Sequence, residues 1–236
     1  MKKHIWLLIT LFVFHSPFLH SQLSTFGLQG RSVYSLASWG SKLYAGTDDG
    51  VFVRGLSQTD TNWIGVGLKG KVVRTIYPHQ VGPIGYAVTA GVQRAAGDTS
   101  SPLIYCTSNS DTSWTITDSG IVRSEVTFVR SIDGFLSPAI CGETFAAIDG
   151  VYRRTPSSGW GKVYDIGGTI NALKVHGSAV WIGGETGFFA PFIARSDNKG
   201  DSWNISFPNL GGDNACNSLE FSPSDTATIY AGMEGV

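Results

Sequence analysis

The chain has 236 residues, 17 basic and 18 acidic, so its formal charge is −1, and only 15% of its residues are charged against 30 glycines. So weak a field removes the electrostatic case for nucleic acid or an anionic membrane surface as partner. The length allows one large all-β domain or two small ones, and abundant glycine, serine and threonine suit short strands joined by tight turns.

The first predicted element is not part of the fold. Lys2 and Lys3 precede an apolar run from Ile5 to Phe14, followed by the more polar "HSPFLHSQ". That order of charge, short apolar segment and polar tail reads as a secretory signal peptide. The run is about half of the roughly 20 residues a spanning helix needs, so no membrane insertion is expected. Residues 1–22 are assigned to the signal and 23–236 to the mature domain, secreted or periplasmic. No cysteine follows the run to take a lipid anchor. Without Lys2 and Lys3, fifteen basic residues face eighteen acidic ones.

A five-fold internal repeat follows. "SVYSLASWGSKLYAGTDDGVFVR" recurs as "VVRTIYPHQVGPIGYAVTAGVQR", "TFVRSIDGFLSPAICGETFAAIDGVYRR", "INALKVHGSAVWIGGETGFF" and "CNSLEFSPSDTATIYAGMEGV". Each complete copy runs to a tryptophan, Trp63, Trp114, Trp160 and Trp203, at separations of 51, 46 and 43 residues. A period of this length with about four strands in it predicts propeller blades. Alternating apolar residues such as Leu43 and Ala45, with many β-branched and aromatic ones, exclude helical repeats. The expected fold is all-β, a β-propeller of four-stranded antiparallel blades, with about four complete blades and a partial fifth.

The sharpest motif is "RSDNKGDSW", residues 195–203. It resembles the Asp-box, or BNR repeat, S-x-D-x-G-x-x-W: Ser196, Gly200 and Trp203 match, and Asn198 stands where that family has aspartate. Asn can also bond nearby backbone and hold a tight turn. A second copy, "TSNSDTSW", keeps Thr107, Asn109 and Trp114, with Asp111 in place of the glycine. The stretches before Trp63 and Trp160 keep little beyond the tryptophan. The family includes sialidases, and the repeats also look like photosystem II assembly-factor-like exported bacterial propellers.

The resemblance implies blades lettered A to D outward from the axis, with the box as a peripheral, structural C-to-D turn and strand D after each tryptophan. "WIGVGLKG" is then strand D of the first blade and "KVVRTI" strand A of the second. The opening "STFGLQG" reads as an orphan strand D that would complete a blade from the other terminus, since open sheet edges are a liability. The last copy stops at "IYAGMEGV", before strand C is complete. The expectation is therefore a chain truncated at its C-terminus, in preference to a ring patched at a fifth blade.

By the same resemblance, function lies on the face of the D-to-A and B-to-C loops. The junctions offer Arg31, Lys71 and Arg123, and the B-to-C turns offer Asp48, Asp49, Asp149, Glu185 and Glu234. They are candidate binding residues for a polar ligand, although such residues are also ordinary turn formers. The expected function is a non-catalytic binding or scaffolding module for a protein or glycan partner. The alternative is a sialidase-like glycoside hydrolase, against which stands the absence of an R-I-P motif or a recognisable arginine triad. No catalytic residue and no cofactor or metal site is assigned. Cys106, Cys141 and Cys216 form no metal or redox motif. The favoured reading makes them small buried strand residues, the other being one disulfide and a free thiol. His79 and His176, left after the signal, read as surface or core histidines.

Overall fold

A computed structural model describes residues 27–57, 62–83, 85–108, 112–122, 128–135, 139, 141–188, 190–208, 215–225 and 227–234. The signal segment, Asn109, Asp111 and Arg123 lie outside the described residues, as does the orphan strand's "STF". Residues 27–30 of that segment form a turn rather than a strand.

The first sheet is a meander of β1 (Val33–Trp39), β2 (Lys42–Thr47), β3 (Gly50–Gly55) and β4 (Ile64–Gly67). The second comprises β5 (Val72–Val81), β6 (Gly85–Gln93), β7 (Ile104–Ser108) and β8 (Thr115–Ile116). The third has β9 (Ser131–Gly134), β10 (Thr144–Ala147), β11 (Val151–Thr155) and β12 (Gly159–Tyr164), and the fourth β13 (Gly168–His176), β14 (Ala179–Thr186), β15 (Pro191–Ser196) and β16 (Asn204–Ser206). A two-stranded sheet of β17 (Cys216–Phe221) and β18 (Ile229–Met233) ends the series. All pairings are antiparallel. The chain is a β-propeller of four complete blades and the first two strands of a fifth.

Strands β1, β5, β9, β13 and β17 pack on one another in succession and are therefore the innermost strand of each blade. The core lies between blades, because a sheet must bury one face against another layer. Tyr44, Val51 and Val66 of the first blade pack on Val73, Val88 and Val92 of the second. Leu103 and Ile104 meet Ile132, Ala146 and Tyr152, and Phe145 and Val151 meet Ile170, Ile182 and Phe192.

One small residue per blade sets how close these layers come. A Cβ on Gly46 would lie 2.8 Å from the Val73 carbonyl oxygen, and one on Gly91 would lie 2.6 Å from Val129 Cβ. A Cβ on Gly183 would collide with the Cys216 thiol. These glycines explain the recurring "YAGT", "TAGV" and "IGGE": in the first, second and fourth blades the second strand is bare where the next blade's inner strand crosses it, and in the third Ala147 takes that place.

The tryptophans reach backward. Trp114 Nε1 donates to the Val66 carbonyl 2.9 Å away in the first blade, and Trp160 Nε1 to the Thr117 carbonyl at the end of the second. The Trp203 ring lies 4.9 Å from that of Tyr164, on the last strand of the third blade. Each ring thus wedges its own blade against its predecessor. Strand D begins directly after Trp63, Trp114 and Trp203, whereas Trp160 lies inside β12.

The cysteines correct the favoured reading. Cys106 on β7 is disulfide-bonded to Cys141, tying the second blade to the third across a sequence separation of 35. Cys216 is the buried free thiol, and burial pushes its pKa up. Among the described residues no helix is long and apolar enough to cross a membrane.

Candidate functional site

In an antiparallel meander all D-to-A junctions and B-to-C turns fall at one end of the strands. Arg31 and Lys71 stand just before β1 and β5, Asp48, Asp49 and Asp149 in B-to-C turns, and Glu185 near the end of β14. Asn198 and Gly200 stand in the C-to-D turn between β15 and β16, at the other end.

Three of the nominated charges, Arg31, Asp49 and Asp149, are held in ion pairs at or beside the junctions. Arg31 pairs with Asp49 at 2.8 Å, and the other Asp49 oxygen accepts the Gly70 N–H at 2.7 Å. One carboxylate therefore joins the turn before the first blade to the turn before the second. Those turns are alike: the Arg31 N–H bonds the Leu28 carbonyl and the Lys71 N–H bonds the Leu68 carbonyl. This is why "FGLQGR" and "VGLKGK" read as one phrase. Asp149 pairs with Lys162 at 2.9 Å, and Lys162 also holds Asp165 at 3.1 Å. Asp48 shares none of Asp49's contacts, and its Oδ1 is buried without a hydrogen-bond partner. The Lys71 ammonium sits 5.3 Å from the Tyr105 ring centre.

What lies nearer the axis is a set of residues that the sequence analysis passed over. The pairing register slips between Val33 and Ser35, Val73 and Thr75, Ile170 and Ala172, and Cys216 and Ser218. Each slip is a β-bulge, and the extra residue is Tyr34, Arg74, Asn171 or Asn217. In the third blade, where ladder pairing starts at Ser131, Arg130 holds the same frame in "VRSI" as Arg74 does in "VRTI". Bulges re-aim a side chain without ending the strand. Here the re-aimed side chains meet across blades.

The Arg74 guanidinium lies 4.3 Å from the Tyr34 ring centre and 5.2 Å from that of Phe128, and Arg130 lies 4.4 Å from the same Phe128 ring. Asn171 Nδ2 donates to Asn217 Oδ1 at 3.0 Å. Two guanidinium groups thus flank one phenyl ring. Arg74 Nε donates to Gln93 Oε1 at 2.7 Å, and among the described residues neither arginine forms an ion pair. Burial lowers the Arg130 pKa, nearby Glu185 raises it, and Arg74 lowers it further by like-charge repulsion. Guanidinium still stays charged at neutral pH. The arc can grip an anionic or hydroxyl-rich group by bidentate hydrogen bonds. The available signal was the polar residue interrupting the apolar start of every repeat.

The 196–203 turn is built as a self-contained hydrogen-bond set. Ser196 Oγ is buried, accepts the Gly200 N–H at 2.7 Å and donates to Asn198 Oδ1 at 2.9 Å. Asn198 Oδ1 also accepts the Ser202 N–H at 2.8 Å, and Trp203 Nε1 donates to the Gly200 carbonyl at 3.0 Å. Gly200 has φ +92°, and a Cβ there would press on Val163 and Phe145 of the third blade at 3.2 and 3.3 Å. In the second copy Thr107 is buried and its Oγ1 has no hydrogen-bond partner, while Trp114 keeps its wedge role. Among the described residues no cluster of three potential metal ligands occurs.

No family model and no curated protein matches the chain. Solved structures do match in fold. One is the GH74 enzyme of Niastella koreensis (TM-score 0.58, 15% identity, 83% of this chain and 33% of that one). Another is the extracellular domain assigned to a hybrid two-component system of B. thetaiotaomicron (TM-score 0.57, 17% identity, 85% and 25%). A third is the WD40 domain of Neurospora crassa Pan2 (TM-score 0.51, 10% identity, 84% and 58%). The chain spans a third or less of the length of the first two, and at these identities the likeness is one of propeller fold.

Proposed function

We propose that the chain is an exported, non-catalytic propeller module that binds a glycan at its axial mouth, through the arc of Tyr34, Arg74, Arg130, Asn171 and Asn217. The observation that carries this reading is the repetition of one bulge at the start of four of the five inner strands, presenting a ring, a guanidinium or an amide, with Arg130 in the same frame on the other. A polar arc on rigid strands suits a hydroxyl-rich partner, because rigid elements hold donors in place at little ordering cost. The nominated loop charges Arg31, Asp48, Asp49, Lys71, Asp149 and Glu185 form the surrounding rim. The hydrogen bonds of residues 196–203 support the Asp-box reading, and the Cys106–Cys141 bond supports export through the 1–22 signal peptide into an oxidising compartment. A sialidase-like hydrolase would need a third arginine beside the pair, and among the described residues the arc holds only Arg74 and Arg130.

The test is a glycan array followed by calorimetry on wild type and on the Arg74→Ala, Arg130→Ala double variant. Binding should weaken at least tenfold with the melting temperature changed little, since both arginines are part-exposed. Unchanged binding in the double variant refutes the arc as the site. Release of a free sugar replaces the binding module with the hydrolase reading.

A further inference from the structure

At the opposite end of the inner strands lies a cleft of about 680 Å³, reached by the ends of β1, β5, β9 and β13 and by the 196–203 turn. Its polar wall is unusual. His79 is only 1% exposed and lines the cleft; neither ring nitrogen makes a well-formed hydrogen bond, the Tyr77 backbone being its one near polar neighbour. It stacks on Tyr77 with ring centres 5.0 Å apart and an 11° tilt, and burial lowers its pKa, so it is neutral at physiological pH. A neutral imidazole offers one donor and one acceptor. The Tyr77 hydroxyl is turned to the third blade, where it donates to the Gly134 carbonyl at 2.7 Å.

Beside it, Asp133 receives the Val175 N–H at 3.0 Å on one oxygen and the Gly134 N–H at 2.8 Å on the other. Each oxygen keeps a second acceptor site. Glu143 is neutralised by Lys199 at 2.9 Å and Arg153 at 2.7 Å, and the Lys199 ammonium also sits 4.9 Å from the Phe135 ring centre. Among the described residues of the cleft, Lys199 is thus the one lysine or arginine, and it is already engaged. The walls are completed by the partly buried rings of Trp39 and Phe135.

We propose that this cleft is a second binding site, distinct from the axial mouth, for the neutral pyranose units of an oligosaccharide. Sugar hydroxyls donate to Asp133, His79 is the inner polar partner, and the apolar faces of the sugar rings lie against Trp39 and Phe135. Pockets of this size, aromatic-walled with a few convergent polar groups, suit small organic ligands. Acidic sugars are disfavoured, because their carboxylate would meet Asp133 with no uncommitted cation to offset it. A basic peptide would find Glu143 already neutralised by Lys199 and Arg153 and, among the described residues of the cleft, only the single, mostly recessed Asp133 carboxylate left to pair with.

The test uses the full chain titrated separately with cellohexaose, xylohexaose and laminarihexaose, with oligogalacturonate and with oligolysine, following both heat and the histidine ring resonances. At least one neutral hexaose should bind saturably and shift the His79 signals. Phe135→Ala and His79→Phe should each weaken that binding at least tenfold. Should His79→Phe fail to fold, the His79 resonance in wild type decides. The proposal is overturned if no neutral hexaose moves that resonance, or if oligogalacturonate or oligolysine binds in their place. It is equally overturned if neutral-sugar binding is lost with Arg74→Ala and kept with Phe135→Ala, a result that would leave the axial reading standing alone.

Discussion

Replacing Trp160 with Ala should cost more than replacing Trp203, although Trp203 closes the better motif. Trp160 is 4% exposed, packs in the cluster of Leu103, Ile104, Ile132 and Tyr152, and donates through Nε1 to the Thr117 carbonyl of the preceding blade. Its truncation removes roughly 200 Å² of buried ring, about 5 kcal/mol at about 25 cal/mol/Å². Leaving the Thr117 carbonyl without its donor adds about 1 kcal/mol. Relaxation of the cavity takes some of this back, and about 5 kcal/mol is expected. Trp203 is only partly buried, and its Nε1 bonds the Gly200 carbonyl of its own turn, so its loss leaves no cross-blade group unpaired. About 3 kcal/mol is expected for Trp203→Ala. Urea unfolding of the oxidised proteins followed by circular dichroism measures both. If Trp203→Ala costs as much as Trp160→Ala, the motif rather than the interblade wedge governs stability, and the reasoning fails.

Reducing the Cys106–Cys141 bond should lower stability by about 3 to 4 kcal/mol, the loop-closure value for a separation of 35 residues, and urea midpoints that coincide within error with and without reductant would refute this. Burial pushes the Asp133 carboxyl up to about 6, with the Val175 N–H and Lys174 pulling the other way, so the native state holds this proton more tightly than the unfolded chain. Stability from this group is therefore full below about pH 4 and falls by up to roughly 2 to 3 kcal/mol as pH rises through 6. Glu143 acts oppositely. Burial works to raise its pKa, but Lys199 and Arg153 outweigh that and hold it low, so its contribution is lost only as pH falls below the usual glutamate range. In Asp133→Asn the decline between pH 4 and 6.5 should vanish, and an unchanged slope in urea melts across that range would assign it to another group.

The blade architecture was legible because its cause is local. Strands alternate, junction turns repeat a hydrogen bond, and one bare residue in "YAGT", "TAGV" and "IGGE" marks where layers approach. The tryptophan spacing marked blade length correctly, yet motif quality misjudged importance, since the stretch before Trp160 keeps almost nothing of the box and its ring is the more deeply buried of the two. The site was less legible. Asp49 and Asp149 look like ligand groups in a one-dimensional reading, but only the folded chain brings Arg31 and Gly70 to one and Lys162 to the other. His79 reads from sequence as a surface or core histidine and is indeed buried, but its place on a cleft wall depends on the ends of β9 and β13, which lie 50 to 100 residues away in sequence.

On the proposed reading, the bulge lets this fold vary its binding chemistry without disturbing its packing. At two of the bulges both neighbours are buried, Val73 and Thr75 around Arg74 and Ile170 and Ala172 around Asn171, and Val129 and Cys216 are buried just before Arg130 and Asn217. The bulged residue is excused from the ladder and is Tyr34, Arg74, Asn171 or Asn217, with Arg130 in the same frame just ahead of its ladder. A side chain that takes no part in strand pairing and little part in the core costs little stability when changed. The loop charges are different, because Asp49 is bound to two successive junctions and cannot be altered without loosening them. Specificity in this propeller should therefore reside at the bulges and not in the more conspicuous acidic turns. Arg74→Asn should change which ligand is bound, whereas Asp49→Asn should change how firmly the first two blades are joined.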